Sequence, residues 1–300
     1  MKRLEGLHTV LITPFNDQNQ LDQPGFRFLI RRQLENRVDG IVALGTTGET
    51  PTLSLEEKQT IINLARSEIP STIPLGIGTG SYSTAQTIEA TCQAKELGAD
   101  FALIVTPYYN KPTQEGLYRH FKAIAEAVDL PICLYNVQGR TGQNLQTDTL
   151  RRLIEIPSII CVKEASGNVA QMSDVIELAR EVRPDFTILS GDDALTLPLM
   201  ALGGHGIFSV VSNLLPAEMK TLVDAAAKGN FESARQMHFH LTPLFKGAFL
   251  ETNPIPIKAA LRLCGLPSGE CRLPLCELND ANALKLKQIV DKYAKSEIRV

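Results

Sequence analysis

The sequence predicts a parallel (β/α)₈ barrel, a TIM barrel, that carries a C-terminal helical extension. Two observations carry this. Short β-branched runs alternate regularly with longer amphipathic segments, and there are eight such runs with no tandem-strand stretch. Eight repeats match the count needed to close a barrel, whereas an open doubly wound sheet usually has fewer strands and a phosphate-binding first turn.

The strand candidates are residues 9–15, 40–45, 73–80, 101–107, 131–137, 159–165, 186–192 and 205–212. Helical patterns fill the gaps, among them 54–68, 83–97, 113–128 and 168–182, and each opens on a capping residue type. Ser54 has Glu57 three positions on, which is the spacing of a capping box. Gly76-Ile77-Gly78-Thr79-Gly80 lacks the third glycine of a dinucleotide fingerprint and reads as a tight strand-to-helix turn. From residue 230 onward the pattern is helical only, at 231–251, 254–264 and 280–295, with Asn253-Pro254-Ile255-Pro256 between the first two. The division expected is a barrel over 1–229 and a packed extension over 230–300.

Composition narrows the function classes. With 44% hydrophobic and 21% charged residues, the 300-residue chain has ample material for a large core. A formal net charge of -3 gives no global pull toward nucleic acid or an anionic membrane. The start, Met1-Lys2-Arg3-Leu4-Glu5-Gly6-Leu7-His8, has no apolar run behind its basic residues, so no leader is expected. None of the six cysteines is spaced C-x-x-C, and Cys133 and Cys161 lie inside strand-like runs, which suits a reducing compartment; the cytoplasm is the default.

In a parallel barrel, chemistry gathers where the strands end. Polar residues gather there too: Gly45-Thr46-Thr47-Gly48-Glu49, Thr106-Pro107-Tyr108-Tyr109-Asn110, Tyr135-Asn136 and Lys163-Glu164. Lys163 ends the apolar run Ile159-Ile160-Cys161-Val162. Such a lysine either snorkels out or pairs with Glu164, or it is an amine kept dry enough to attack a carbonyl. Side chains alternate along a strand, so Lys163 shares a face with Cys161, and Tyr135 with Cys133. If the cysteines fill the interior, a phenol and an amine sit one layer above them on adjacent strands. That pairing suits carbinolamine dehydration, in which a proton is moved beside a nitrogen nucleophile.

Five segments in order carry a resemblance: Gly45-Thr46-Thr47-Gly48-Glu49, Val105-Thr106-Pro107-Tyr108-Tyr109-Asn110, Tyr135-Asn136-Val137, Arg140-Thr141-Gly142 and Val162-Lys163-Glu164-Ala165. Together they resemble the pyruvate-dependent class I aldolases of the dihydrodipicolinate synthase and N-acetylneuraminate lyase superfamily, and most closely its dihydrodipicolinate synthase branch. The resemblance implies that Lys163 forms an imine with pyruvate and that Tyr135 moves protons over it. Thr46 would link Tyr135 to Tyr109, which reaches in from a neighbouring subunit. Thr47, with N–H groups of the Gly45–Gly48 turn, would hold the pyruvate carboxylate. Arg140 would meet the carboxylate of L-aspartate-4-semialdehyde, and Phe208 and Gly191 would line the pocket. It further implies diaminopimelate and lysine biosynthesis and a homotetramer built from two dimers. No cofactor and no metal are expected, since a protonated imine is its own electron sink. The rivals are a lyase for a sugar acid such as N-acetylneuraminate or 2-keto-3-deoxy-gluconate, and a silent homologue that binds a keto acid.

Three departures stand out. Gln138-Gly139 follows Val137 where the family usually has proline, which should loosen the loop that carries Arg140. Phe208 stands where a smaller aliphatic is frequent. Leu55, Lys58, Tyr82 and Gln86 replace the His, Asn and Glu of lysine-regulated members, so L-lysine should inhibit weakly or not at all. Singly, several residues read as ordinary structure. His238 and His240 point to different helix faces, His205 sits in a glycine turn, and Asp192-Asp193 reads as a helix cap.

Overall fold

The computed structural model describes residues 3–293, leaving Met1, Lys2 and the last seven positions of the expected extension outside the described residues. Eight strands form the barrel: β1 Gly6–Val10, β2 Gly40–Ala43, β3 Leu75–Gly78, β4 Phe101–Val105, β5 Ile132–Asn136, β6 Ile159–Glu164, β7 Thr187–Ser190 and β8 Gly206–Ser209. Each pairs in parallel with the next, and β8 returns to β1. The closed parallel sheet expected from the alternation is present.

The strands are shorter than their apolar runs because each run continues into a rim loop. The largest difference is the first strand, expected at 9–15 and found at Gly6–Val10. Residues 11–15 stay buried, and Leu11 N–H still donates to the Val42 carbonyl of β2 at 2.9 Å, but beyond it the backbone takes other partners. Ile12 N–H donates to Asn213 Oδ1 at 3.1 Å, Phe15 N–H donates to the Ser268 carbonyl at 3.1 Å, and Pro14 has no N–H to give.

The helices are α1 Gln23–Glu35, α2 Leu55–Glu68, α3 Thr84–Glu96, α4 Gln114–Ala127, α5 Gln138–Thr141, α6 Thr147–Ile154, α7 Val169–Val182, α8 Thr196–Ala201 and α9 Pro216–Ala227. The extension adds α10 Phe231–Gly247, α11 Ile255–Leu263 and α12 Asp280–Val290. The expected caps form: Ser54 and Glu57 exchange hydrogen bonds at the start of α2, and Ser83, Thr113 and Asn168 cap α3, α4 and α7. Each satisfies an orphan N–H of the first turn.

Two apolar cores result. Outside the barrel, strand residues such as Ile41, Ile104 and Ile188 meet the helices, and Leu241, Leu244, Ile257, Leu261 and Leu286 of the extension join that same cluster. Inside, Val42, Phe101, Leu103, Cys133, Cys161, Leu189 and Phe208 fill the lumen, with the His8 ring 5.1 Å from that of Phe208. A filled lumen makes the barrel a rigid base for the residues above it.

Candidate active site

Register places the two central residues. Cys133 pairs with Cys161, and two positions on, Tyr135 pairs with Lys163. A period of two puts all four on the inner face, with the tyrosine and lysine in the layer nearer the C-terminal rim. Both are buried, Lys163 to 4% exposure and Tyr135 to 7%. Lys163 Nζ lies 4.1 Å from the centre of the Tyr135 ring and 5.7 Å from that of Phe208, so Phe208 underlies the amine.

Snorkelling and pairing are both set aside by this geometry. The amine is buried, and among the described residues no carboxylate pairs with it. Glu164 points to the other face, where its carboxylate accepts from Ser166 N–H at 2.7 Å and from Asn136 Nδ2 at 3.1 Å. Lys163 therefore rests on aromatic faces, a weak hold for an ammonium and an open one for a reacting nitrogen. Burial, with Cys161 adding to it, pushes the Cys133 thiol well above its usual range, so the sulfur beneath Tyr135 stays uncharged.

Gly191 explains how the stem of Lys163 fits. A Cβ at this position would stand 2.9 Å from Lys163 Cε, 3.0 Å from Cγ and 2.8 Å from Ala165 Cβ. Its N–H donates to the Glu164 carbonyl at 2.8 Å, which carries the β6–β7 pairing past the strand end. Only glycine leaves that space.

Thr46 and Thr47 open a single 3₁₀ turn after β2, whose first internal bond runs from Gly48 N–H to the Gly45 carbonyl at 3.0 Å. Their own N–H groups precede that bond and have no partner within the turn. Glu49 follows in the left-handed region, with φ 53°, and is buried. Its carboxylate accepts from Lys258 Nζ at 2.6 Å and from Arg272 N–H at 2.9 Å, tying the turn to the extension. Burial, opposed by Glu49, holds the Lys258 ammonium below the ordinary lysine range.

The loop after β5 has local structure of its own. Residues 138–141 form the helical turn α5, closed by Gly142 N–H on the Gln138 carbonyl at 2.8 Å with Gly142 at φ 67°. Arg140 is exposed and leans on the extension, donating to the Asn253 carbonyl at 3.2 Å and to Thr252 Oγ1 at 3.4 Å.

Not every expected residue comes together within one chain. Tyr109 is 89% exposed, at φ 72°, and among the described residues no hydrogen bond joins it, Thr46 and Tyr135. Tyr108 faces elsewhere and stacks edge-on against Tyr82 at 5.4 Å. The residues read as structural behave so: Asp192 caps Ala194 N–H at 2.9 Å, and His205 accepts from Ile188 N–H at 3.0 Å. Among the described residues no group of His, Cys, Asp or Glu is placed to hold a metal ion.

The sequence profile of the Dihydrodipicolinate synthetase family matches residues 3–293. The chain belongs to this family. A 4-hydroxy-tetrahydrodipicolinate synthase of Protochlamydia amoebophila is 62% identical over 295 residues, which span 98% of each chain. Among solved structures, dihydrodipicolinate synthase of Thermotoga maritima superposes with a TM-score of 0.95 at 41% identity, covering 97% of this chain and 99% of that one. The chloride-inhibited synthase of Acinetobacter baumannii, solved with pyruvate, gives 0.93 at 40% identity and covers 98% and 99%. Family membership accounts for the barrel and for the order of the five motifs. In the sequence Glu49 stood out only as the end of the Gly45–Glu49 segment, and Asn253 and Lys258 were given no role; the Pro-x-Pro segment at 254–256 was the local signal near those two.

Proposed function

We propose that this chain condenses pyruvate with L-aspartate-4-semialdehyde to 4-hydroxy-tetrahydrodipicolinate, feeding diaminopimelate and lysine synthesis. The observation that carries the reading is the buried amine of Lys163, with no carboxylate partner among the described residues and stacked on Tyr135 at the mouth of the barrel of a family member.

The neutral amine adds to C2 of pyruvate, and loss of water from the carbinolamine gives a protonated imine. Removal of a proton from C3 gives an enamine, with Tyr135 assigned to carry protons to and from the reacting atoms. The enamine carbon attacks the aldehyde carbon of the semialdehyde, whose oxygen takes a proton. The amino group of that substrate then attacks C2 and expels Lys163, which closes the ring and restores the amine. Pyruvate and semialdehyde thus give product and one water. Thr47 and the turn N–H groups are assigned to the pyruvate carboxylate, Arg140 to that of the semialdehyde, and Gly191 and Phe208 to the walls around Lys163.

Thr46 and Tyr109 are assigned to a proton relay completed between copies, in a homotetramer. The outward placement of Tyr109 supports that assignment, because a tyrosine this exposed has its ring free for a neighbouring chain. Among the described residues no helix is long and apolar enough to cross a membrane. The purified protein, offered pyruvate with the semialdehyde and, separately, N-acetylneuraminate or 2-keto-3-deoxy-gluconate, decides the substrate. Condensation with the semialdehyde is expected. Cleavage of a sugar acid alone would move the reading to the lyases, and pyruvate binding without turnover would move it to a keto-acid sensor.

A further inference from the structure

Residues 252 and 253, between α10 and α11, reach the rim of the barrel and touch both loops assigned to substrate carboxylates. The Asn253 carbonyl accepts from Arg140, and its side-chain Nδ2 donates to Thr47 Oγ1 at 2.9 Å. Both partners of the second bond are buried, Asn253 to 3% exposure and Thr47 to 2%. Asn253 Oδ1 is itself buried and has no partner among the described residues. A buried carbonyl left without a donor costs stability, and an apolar side chain of that size would avoid the cost. What the amide does is donate to Thr47.

A hydroxyl has one proton and two lone pairs. With a lone pair taken by Asn253 Nδ2, Thr47 is oriented, and among the described residues its own O–H donates to no protein acceptor. We propose that Asn253 is a positioning residue for the keto acid: it fixes Thr47 so that the hydroxyl proton is presented to the substrate carboxylate. The proposal rests on the reading that Thr47 meets that carboxylate. It makes the extension part of the pyruvate subsite, through a side chain about 200 residues away in sequence.

The test compares kcat/KM for each substrate in Asn253→Ala, Asn253→Asp, Thr47→Val and the double variant Thr47→Val with Asn253→Ala. Asn253→Ala should lower kcat/KM for pyruvate about tenfold. It should leave kcat/KM for the semialdehyde within about twofold, because the backbone carbonyl that accepts from Arg140 is kept. Asn253→Asp, equal in size, turns the Thr47 proton toward itself and sets a negative charge beside the carboxylate. Its loss for pyruvate should be larger, about a hundredfold. The double variant should be no worse than Thr47→Val alone, since Asn253 acts through Thr47.

Wild-type kcat/KM for pyruvate in Asn253→Ala overturns the proposal. So do losses that multiply in the double variant, or equal losses for both substrates in Asn253→Asp. If Asn253→Ala does not fold, Asn253→Asp decides alone. Borohydride trapping of pyruvate by the wild-type protein separates the two layers: without it the parent reading falls, whereas trapping together with any of those three results removes only the role of Asn253.

Discussion

Replacing Lys258 with methionine should destabilise the protein far more than the loss of one ion pair at its surface would. The Lys258 and Glu49 side chains are 2% and 1% exposed, their contact is 2.6 Å, and Lys258 also donates to the Glu270 carbonyl at 2.9 Å. The low pKa of Lys258 says that burial outweighs the attraction, so the intact pair is not a large net gain. Breaking it is another matter. Methionine leaves Glu49 as a buried carboxylate without a cation, held by Arg272 N–H and the neutral Cys271 thiol, a loss of about 3–5 kcal/mol. At about 2–4 °C per kcal/mol, the thermal midpoint should fall by about 6–20 °C. Urea denaturation at pH 7.5 would read the free energy directly. Adding Glu49→Gln removes the stranded charge and should recover about 2 kcal/mol. Because Glu49 ends the turn that carries Thr47, Lys258→Met should also weaken pyruvate use. A single variant within about 1 kcal/mol of wild type, against the 3–5 expected, would refute the reasoning. A double variant less stable than the single one would do the same.

Three further outcomes are expected. His8 is fully buried, and burial pushes its pKa down to about 4. The folded chain therefore binds fewer protons there than the unfolded chain between about pH 4 and 6.5, so the stability from neutral His8 is present above pH 6.5 and lost through that window. Going from pH 7 to 5 should cost wild type about 2 kcal/mol more than His8→Gln, and equal slopes would contradict this. Asp193, raised by burial to about 6, works in the opposite sense in both proteins, which is why the difference between variants is the readout. Gly191→Ala should displace the stem of Lys163 and cut pyruvate trapping about a hundredfold, and an unchanged trapping rate would show that the stem has room. L-lysine at submillimolar concentration should leave steady-state turnover unchanged, given Leu55, Lys58, Tyr82 and Gln86; half-maximal inhibition there would reverse that reading.

What was legible in the sequence follows from periodicity. The alternation Cys161, Lys163 and Cys133, Tyr135 fixed which side chains face the lumen, because a strand leaves only two choices of face. The caps at Ser54, Ser83, Thr113 and Asn168 were legible because they act within one turn. The end of β1 was not. Residues 12–15 look like a continued strand, but the partners of Ile12 and Phe15 are Asn213 and Ser268, which no local pattern announces. For the same reason Asn253 and Lys258 went unnoticed: their contacts with Thr47 and Glu49 span more than 200 positions. The local form of the loop near Arg140 was not legible either: Gly139 lies within a helical turn, with Gly142 taking the left-handed position that closes it. The role proposed for Tyr109 involves a second copy, which one chain does not display.

The most direct measurement is mass spectrometry after incubation with pyruvate and borohydride. Reduction of the imine should leave one pyruvate-derived adduct, on the peptide carrying Lys163, and Lys163→Ala should abolish both the adduct and turnover. An adduct on another lysine, or normal turnover by Lys163→Ala, would contradict the assignment of the buried amine as the nucleophile.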